Sequence, residues 1–249
     1  MQKRGQITLF VILGMIVIGA VALGFYLRQQ TASKEVAEEA AGLSTLPPDL
    51  AELREEIDGC AKLVSDEALY LVGQQGGYSL APDDAIVSGD YSIALGVASG
   101  ARTLASEDTL KSEIASYVES FLPECVNYAS YQDLEIFDQP AETSVNLNDE
   151  KTDLKIEYKV TAQKDGNTYN LFEPYEVELP LRVKKVYESS SKIADEIASS
   201  PKDFDVAKVL SYGMDVDVNN LGNGFMVILV KDKKHDMEKN YEFQFGVAL

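Results

Sequence analysis

Histidine and cysteine are almost absent from this chain of 249 residues, which has one histidine and two cysteines. No second cysteine lies two to four residues from Cys60 or from Cys125, so the spacing of a zinc site is missing. His235 stands alone in the charged sequence KDKKHD, which indicates a solvated turn. We therefore expect no metal site and no cofactor.

Motifs that carry catalysis are also missing. The glycines of GQQGGY do not match a phosphate-binding loop, and Ser189, Ser190 and Ser191 lack the G-x-S-x-G context of a nucleophile. The segment DVDVN from Asp215 faintly resembles a calcium loop, but Asn220 replaces the required glycine and strand alternation explains it better. The sequence predicts a protein that is not an enzyme.

Basic residues are too few for a nucleic-acid partner. The chain has 22 Lys and Arg against 41 Asp and Glu, a formal net charge of −19. Such an acidic protein repels phosphate backbones and anionic headgroups, so nucleic acid is not an expected partner.

One long stretch contains no charge at all. It begins at Ile7 and ends at Leu27, and its 21 residues would span about 30 Å as a helix, the thickness of a bilayer core. Lys3 and Arg4 precede it and favour a cytoplasmic N-terminus. Residues 1–27 are therefore expected to cross the lipid bilayer of the cell membrane, with the bulk of the chain extracytoplasmic.

Three fates are open to this segment. The sequence Ala20-Val21-Ala22 fits a secretory cleavage after Ala22, whereas the continuous apolar run fits an uncut anchor. The third fate is cleavage between Gly5 and Gln6. The three fates differ in where the chain is cut, and the sequence leaves all three open.

The third fate comes from the sequence KRGQ directly before the apolar run, which resembles the class III signal of archaeal type IV pilins. The resemblance covers about 25 of the 249 residues and implies cleavage after Gly5, leaving Gln6 as the new N-terminus. Many pilins have a glutamate where this chain has Phe10. That departure favours a minor pilin-like protein or a plain anchor over a standard major subunit.

Residues 28–130 have helical patterns. Residues 28–48 predict a solvated stalk or linker, and residues 49–130 a helical subdomain that contains both cysteines. Apolar residues recur every three or four positions in a helix over residues 49–73 and a second over residues 106–128. Cys60 and Cys125 fall on the apolar faces of these helices, so they are a candidate disulfide; two buried free thiols are the alternative.

Residues 131–249 change to a period of two. Leu154, Ile156, Tyr158 and Val160 predict one strand, and further strands are predicted near residues 134–137, 145–147, 169–181, 214–218, 225–230 and 241–247. Helices are predicted over residues 183–199 and 204–212. This second part is therefore a strand-rich subdomain, and the predicted fold is α+β with a mainly antiparallel sheet.

A second resemblance covers most of the chain. The KRGQ leader, a cysteine-bearing helix ending LYLVGQQGGY and the terminal YEFQFGVAL resemble uncharacterised membrane-anchored proteins of small-genome archaea. We expect a single-pass anchored structural protein of the cell surface, as a pilin-like filament subunit or minor pilin that self-assembles. The alternative is an anchored binding module or an accessory factor that binds other cell-envelope proteins.

Overall fold

A computed structural model describes most of the chain beyond the apolar run: residues 46–89, 91–200, 212–233 and 240–249. The chain divides into two units, Met1–Glu52 and Leu53–Leu249, and of the first unit only residues 46–52 are described. The described residues form three helices and thirteen strands, and all but one of the strand pairings are antiparallel. The predicted α+β class with a mainly antiparallel sheet is confirmed.

Helix α1 spans Pro48–Gln74, close to the predicted bounds. Most of its predicted apolar stripe is buried, but Leu71 is half-buried and Val72 takes the buried position at that end of the helix. Gly76 and Gly77, with φ of +79° and +97°, turn the chain after the helix in a conformation that glycine adopts without strain.

Two glycines inside α1 differ in their surroundings. A Cβ atom at Gly59 would meet nothing within 4 Å. A Cβ atom at Gly73 would lie 2.5 Å from the backbone carbonyl of Glu242, because the sheet approaches the helix closely there. Gly73 is therefore required for packing, whereas Gly59 is not.

Helix α2 spans Glu107–Cys125, and the Ser106 hydroxyl caps it by accepting from the Thr109 amide at 3.0 Å. The predicted extension to residue 128 is wrong: Pro123 lies in the last turn, the helix ends at Cys125, and a 3-10 turn follows over Tyr128–Ser130.

The predicted apolar face of α2 also needs one correction. Leu110, Ile114 and Tyr117 are buried as predicted, but Phe121 is 42% exposed and the neighbouring Leu122 is buried instead. The Phe121 ring packs on Tyr117 with centroids 4.4 Å apart, which keeps it at the margin of the helix face.

The irregular segment between the first two helices contains four short strands that the sequence pattern does not predict. They are β1 (Ile86–Ser88), β2 (Tyr91–Ile93), β3 (Leu95–Ala98) and β4 (Ala101–Arg102). Each has at most four residues, too few for a period of two to be recognised. Strand β3 forms the one parallel pairing, with the last strand of the chain.

Six strands follow α2 as a meander: β5 (Glu135–Asp138), β6 (Glu142–Leu147), β7 (Thr152–Glu157), β8 (Val160–Lys164), β9 (Asn167–Leu171) and β10 (Tyr175–Leu179). β8 pairs with β5 and β9, and β7 pairs with β6 and β10, all antiparallel. Along the chain, β5 leads into β6, β7 into β8 and β9 into β10. The six strands thus form three long antiparallel strands, each interrupted in the middle.

The interruption crosses all three long strands. It contains Pro140 in the first, Tyr158 and Lys159 in the second and Pro174 in the third. Proline has no amide hydrogen for a ladder bond, so the two outer strands cannot pair continuously through this line. The predicted single strand from Leu154 to Val160 is therefore wrong at its end, because the chain passes there from one three-stranded sheet to the other. The predicted edge position of β10 is confirmed.

The remaining elements are α3 (Val183–Ser199), β11 (Asp215–Gly222), β12 (Phe225–Lys231) and β13 (Glu242–Ala248). They build a five-stranded sheet in the order β11-β12-β13-β3-β4. Helix α3 packs on β3, β4, β12 and β13 through an apolar face that the sequence predicted correctly. Most of the predicted helix over residues 204–212 lies outside the described residues.

One buried ion pair joins the start of α3 to the end of β12. Arg182 Nε donates to Asp232 Oδ2 at 2.8 Å, and a second guanidinium nitrogen donates to the other carboxylate oxygen. Asp232 is buried, so this bidentate pair supplies the hydrogen bonds that its charge needs away from water.

Candidate functional site

The two cysteines join the first two helices. Cys60, in the middle of α1, is bonded to Cys125, the last residue of α2, with Cα atoms 5.8 Å apart. The bond closes a loop across 65 positions, and a loop of that size stabilises the fold by about 4 kcal/mol in the chain-entropy model. The described residues therefore contain the predicted cysteine pair at disulfide distance.

A group of tyrosines lies beyond the disulfide, at the interruption of the meander. We call Tyr128, Tyr131, Tyr158 and Tyr175 the tyrosine cluster. Tyr158 is its centre: its side chain is 1% exposed, and its hydroxyl donates to Asp138 Oδ2 at 2.6 Å. The hydroxyls of Tyr128 and Tyr158 are 2.7 Å apart, which continues the hydrogen-bond chain to the 3-10 turn after α2.

Helix α1 contributes a carboxylate to the same region. The Tyr131 hydroxyl donates to Glu56 Oε2 at 2.6 Å, and the backbone amide of Asn127 donates to Glu56 Oε1 at 2.8 Å. Glu56 thereby binds both ends of the short segment that follows the disulfide. The segment's conformation is fixed from α1 by two charge-assisted hydrogen bonds as well as by the covalent bond.

The fourth tyrosine lies at the start of β10. Tyr175 is buried, and beside it Arg54 of α1 forms an ion pair with Glu173. Burial raises the pKa of Tyr175 to about 12, while the positive charge of Arg54 opposes that shift. Arg54 and Glu173 therefore connect α1 to the third long strand at its interruption.

The chemistry of the cluster is that of hydrogen-bond donors. Burial is the main cause that raises the pKa of Tyr128 to about 12, and burial also raises the pKa of Tyr158, with the hydrogen bond to Asp138 as the next cause. Phenols with such pKa values stay protonated near neutral pH, far from the range of an efficient general base. The arrangement is suited to holding the helices and the meander together.

Two shallow surface depressions of the described residues lie outside the tyrosine cluster. One, of about 330 Å³, lies on α1 between Leu63, Tyr70 and Tyr91, and Leu63 there is 64% exposed. The other, of about 460 Å³, lies on the outer face of β6, β7 and β10, where Lys151 and Lys155 alternate with acidic side chains. The first depression combines its leucine and tyrosine side chains with the carboxylates of Asp66 and Glu67.

The residues predicted to define the membrane segment are not among those described. Gly5, Gln6, Ile7, Phe10 and Leu27 all lie outside them, so cleavage and anchoring stay predictions. Across residues 46–89, 91–200, 212–233 and 240–249, no helix has both the length and the apolar character needed to cross a membrane. His235 also lies outside the described residues.

The faint calcium-loop sequence belongs to strand β11. Asp215 and Asp217 there bind Lys233 and Lys231, with Nζ to carboxylate oxygen distances of 3.0 and 3.2 Å. Each carboxylate thus forms an exposed ion pair with a lysine on or after the neighbouring strand, in agreement with the strand interpretation. Within the part of the chain that the structure describes, no three His, Cys, Asp or Glu side chains are grouped as metal ligands would be.

The serine triplet belongs to helix α3, as predicted. Ser189 and Ser190 donate to the backbone carbonyls one turn earlier, at 2.9 and 2.8 Å, and Ser191 accepts from Arg102 at 3.1 Å. The hydroxyls of Ser189 and Ser190 are therefore paired within the helix, and that of Ser191 contributes to the contact between α3 and β4.

Sequence reasoning did not find the tyrosine cluster. Its members come from a turn, a strand interruption and a strand start, and their spacing follows no motif. The available signal was the pair of prolines, Pro140 in the first long strand and Pro174 in the third, which the second long strand separates.

Comparison of the chain with protein-family models, with curated proteins and with solved structures finds no match.

Proposed function

We propose that the chain is a single-pass, membrane-anchored structural protein on the extracytoplasmic side of the cell membrane, with a pilin-like subunit as the particular form. The observation that carries this proposal is the uncharged run from Ile7 to Leu27, preceded closely by Lys3 and Arg4. A run of this length and composition is expected in a bilayer. The rest of the chain is then the exposed domain.

The cysteine pair supports the extracytoplasmic side. Disulfides form and persist in oxidising compartments, whereas cytosolic thiols are usually kept reduced. The Cys60–Cys125 bond joins the middle of α1 to the end of α2. A bond in this position is most useful to a domain that works outside the cell.

The tyrosine cluster supports a structural role over an enzymatic one. Its hydroxyls connect α1, the turn after the disulfide and the meander, and their raised pKa values favour the protonated, hydrogen-bonding form. A domain connected in this way resists local opening, as a surface subunit requires.

A second function, an anchored binding module or envelope accessory factor, is favoured by the depression on α1. Leu63 and Tyr91 are exposed there beside the half-buried Leu71, and exposed apolar side chains of this kind commonly contact other proteins. Both functions share the membrane anchor and differ in whether the exposed domain assembles with copies or binds another protein.

Membrane fractionation of the native protein followed by intact-mass measurement tests the proposal. We expect the chain to stay in the membrane after alkaline carbonate washing, and a mature chain that starts at Gln6 supports the pilin-like form. Retention of residues 1–5 leaves the plain anchor, and recovery in the carbonate wash would refute anchoring.

A pair of variants makes the cleavage test specific. Gly5→Val should block processing after Gly5, so that the chain keeps residues 1–5, whereas Ala22→Val should leave that processing unchanged. The opposite pattern would assign the leader to secretory cleavage after Ala22 and contradict the proposal.

A further inference from the structure

Strand β11 is an exposed edge of the five-stranded sheet. It lies first in the order β11-β12-β13-β3-β4, and on its eight residues the only one that is not exposed is Val216, which is half-buried. An edge strand presents unpaired backbone N–H and C=O groups, which is a template for pairing with another strand.

The other sheet edges in the described part of the chain are shorter or protected. Their strands have six residues or fewer. β6 is covered by α2, whose Glu119 accepts from the backbone amide of Thr143 at 2.7 Å. β10 is flanked by Pro174 and Pro180, which cannot donate to a ladder. β11 has no proline and is the longest edge among these strands.

The burial of apolar side chains decreases sharply from β12 to its neighbour β11. Val218 lies opposite Ile228 of β12 and shares its face of the sheet, yet Val218 is 39% exposed while Ile228 is fully buried. The sheet therefore continues one strand beyond the apolar cover of that face. An additional strand beside β11 would remove the Val218 side chain from water.

The charges along β11 are arranged for pairing with a second β11. Asp215 and Asp217 occupy one end, and the uncharged Asn219 and Asn220 occupy the other. In-register parallel pairing would place aspartates opposite aspartates, which is unfavourable. Antiparallel pairing with Val218 opposite Val218 places each Asp217 opposite an Asn219, whose amide can donate to the carboxylate.

We propose that two copies of the chain pair through antiparallel β11 strands, with the two-fold axis at Val218, so that their five-stranded sheets become one continuous sheet. The contact is isologous, as in most closed homodimers. It lies outside the apolar run and goes beyond the proposed function, because it forms whether or not Ile7 to Leu27 enters a membrane.

Cysteine cross-linking of the full chain tests this pairing directly. Directly opposite residues in antiparallel strands have Cα atoms about 4.5–5.5 Å apart, within the range that a disulfide can join. Both native cysteines are already bonded to each other. Val218→Cys should therefore give a covalent dimer on mild oxidation, whereas Asn170→Cys, on the exposed edge strand β9, should not. Absence of a Val218→Cys dimer, or equal dimer from both variants, would overturn the proposal.

A second variant tests the pairing without a cross-link. Val218→Lys places two ammonium groups opposite each other at the axis, and because Val218 is exposed the secondary structure of each copy, measured by circular dichroism, should not change. Light scattering of the detergent-extracted full chain should show a dimer for the natural chain and at least a tenfold weaker association for Val218→Lys. A natural chain that is monomeric, or a variant that associates equally well, would contradict the β11 interface.

Discussion

The central hydroxyl of the tyrosine cluster offers the sharpest test of what holds the helices to the meander. Tyr158→Phe removes a hydroxyl that donates to Asp138 at 2.6 Å and contacts the Tyr128 hydroxyl at 2.7 Å, without changing the shape of a ring that is 1% exposed. A hydrogen bond to a charged group contributes about 1.5–3 kcal/mol. Asp138 is exposed, so water replaces part of that bond, and the Tyr128 hydroxyl loses a partner. We expect a loss of about 2 kcal/mol in the free energy of unfolding.

Urea unfolding of the full chain, followed by circular dichroism, measures this loss. Tyr128→Phe removes only the contact between the two hydroxyls and should cost about 1 kcal/mol. Since the two variants share that contact, the double variant should cost less than their sum. Tyr169→Phe, on the half-exposed β9, is the matched control and should change stability by less than about 0.5 kcal/mol. Equal losses for Tyr158→Phe and Tyr169→Phe would refute the role assigned to the cluster.

Three further measurements test the packing, the covalent link and the buried phenols. Gly59→Ala should stabilise α1 by about 0.5–1 kcal/mol. Gly73→Ala in the same helix should destabilise the fold, because its Cβ would lie 2.5 Å from a backbone carbonyl of β13. Equal melting temperatures for the two variants would contradict this difference. Replacing Cys60 and Cys125 together by alanine should lower the free energy of unfolding by about 4 kcal/mol. Labelling of both thiols in the native protein without reductant would show that the two cysteines are not bonded and contradict this prediction. Tyrosine ionises near pH 10 in the unfolded chain, whereas folded Tyr175 has a pKa of about 12. The contribution of Tyr175 to stability should therefore be constant below about pH 10 and be lost as the pH rises to about 12, so that alkaline destabilisation is smaller in Tyr175→Phe. An identical alkaline dependence in the variant would refute the shift.

Local patterns were sufficient for the longest elements. The period near 3.6 in α3 placed its helix at the bounds observed, because every position that must be buried against the sheet recurs on one face. The period of two over β7 predicted its buried and exposed sides correctly, since alternate side chains point to opposite faces of a strand. The four short strands before α2 were not predicted, because two to four residues cannot establish a period.

The cysteine pair shows an intermediate case. Helical periodicity placed Cys60 and Cys125 on apolar faces, which made their contact plausible, but two buried thiols would have shown the same periodicity. Only the tertiary structure, in which Cys60 is bonded to Cys125, distinguishes these alternatives. The interruption of the meander is a second intermediate case. Pro140 and Pro174 indicate it in the sequence, but only strand pairing shows that the three long strands are interrupted at the same line.

By itself the sequence determined the acidic charge, the uncharged run from Ile7 to Leu27, the α+β class and most of the buried positions on the long helices and strands, because all of these depend on composition or on spacing between near neighbours. The tertiary structure alone decided that four tyrosines and Glu56 meet at one interruption, and that β11 ends a sheet as an exposed edge. Those features arise from contacts between residues tens of positions apart. The energies of these contacts depend on which groups become buried together, and the spacing of near neighbours in the sequence does not contain that information.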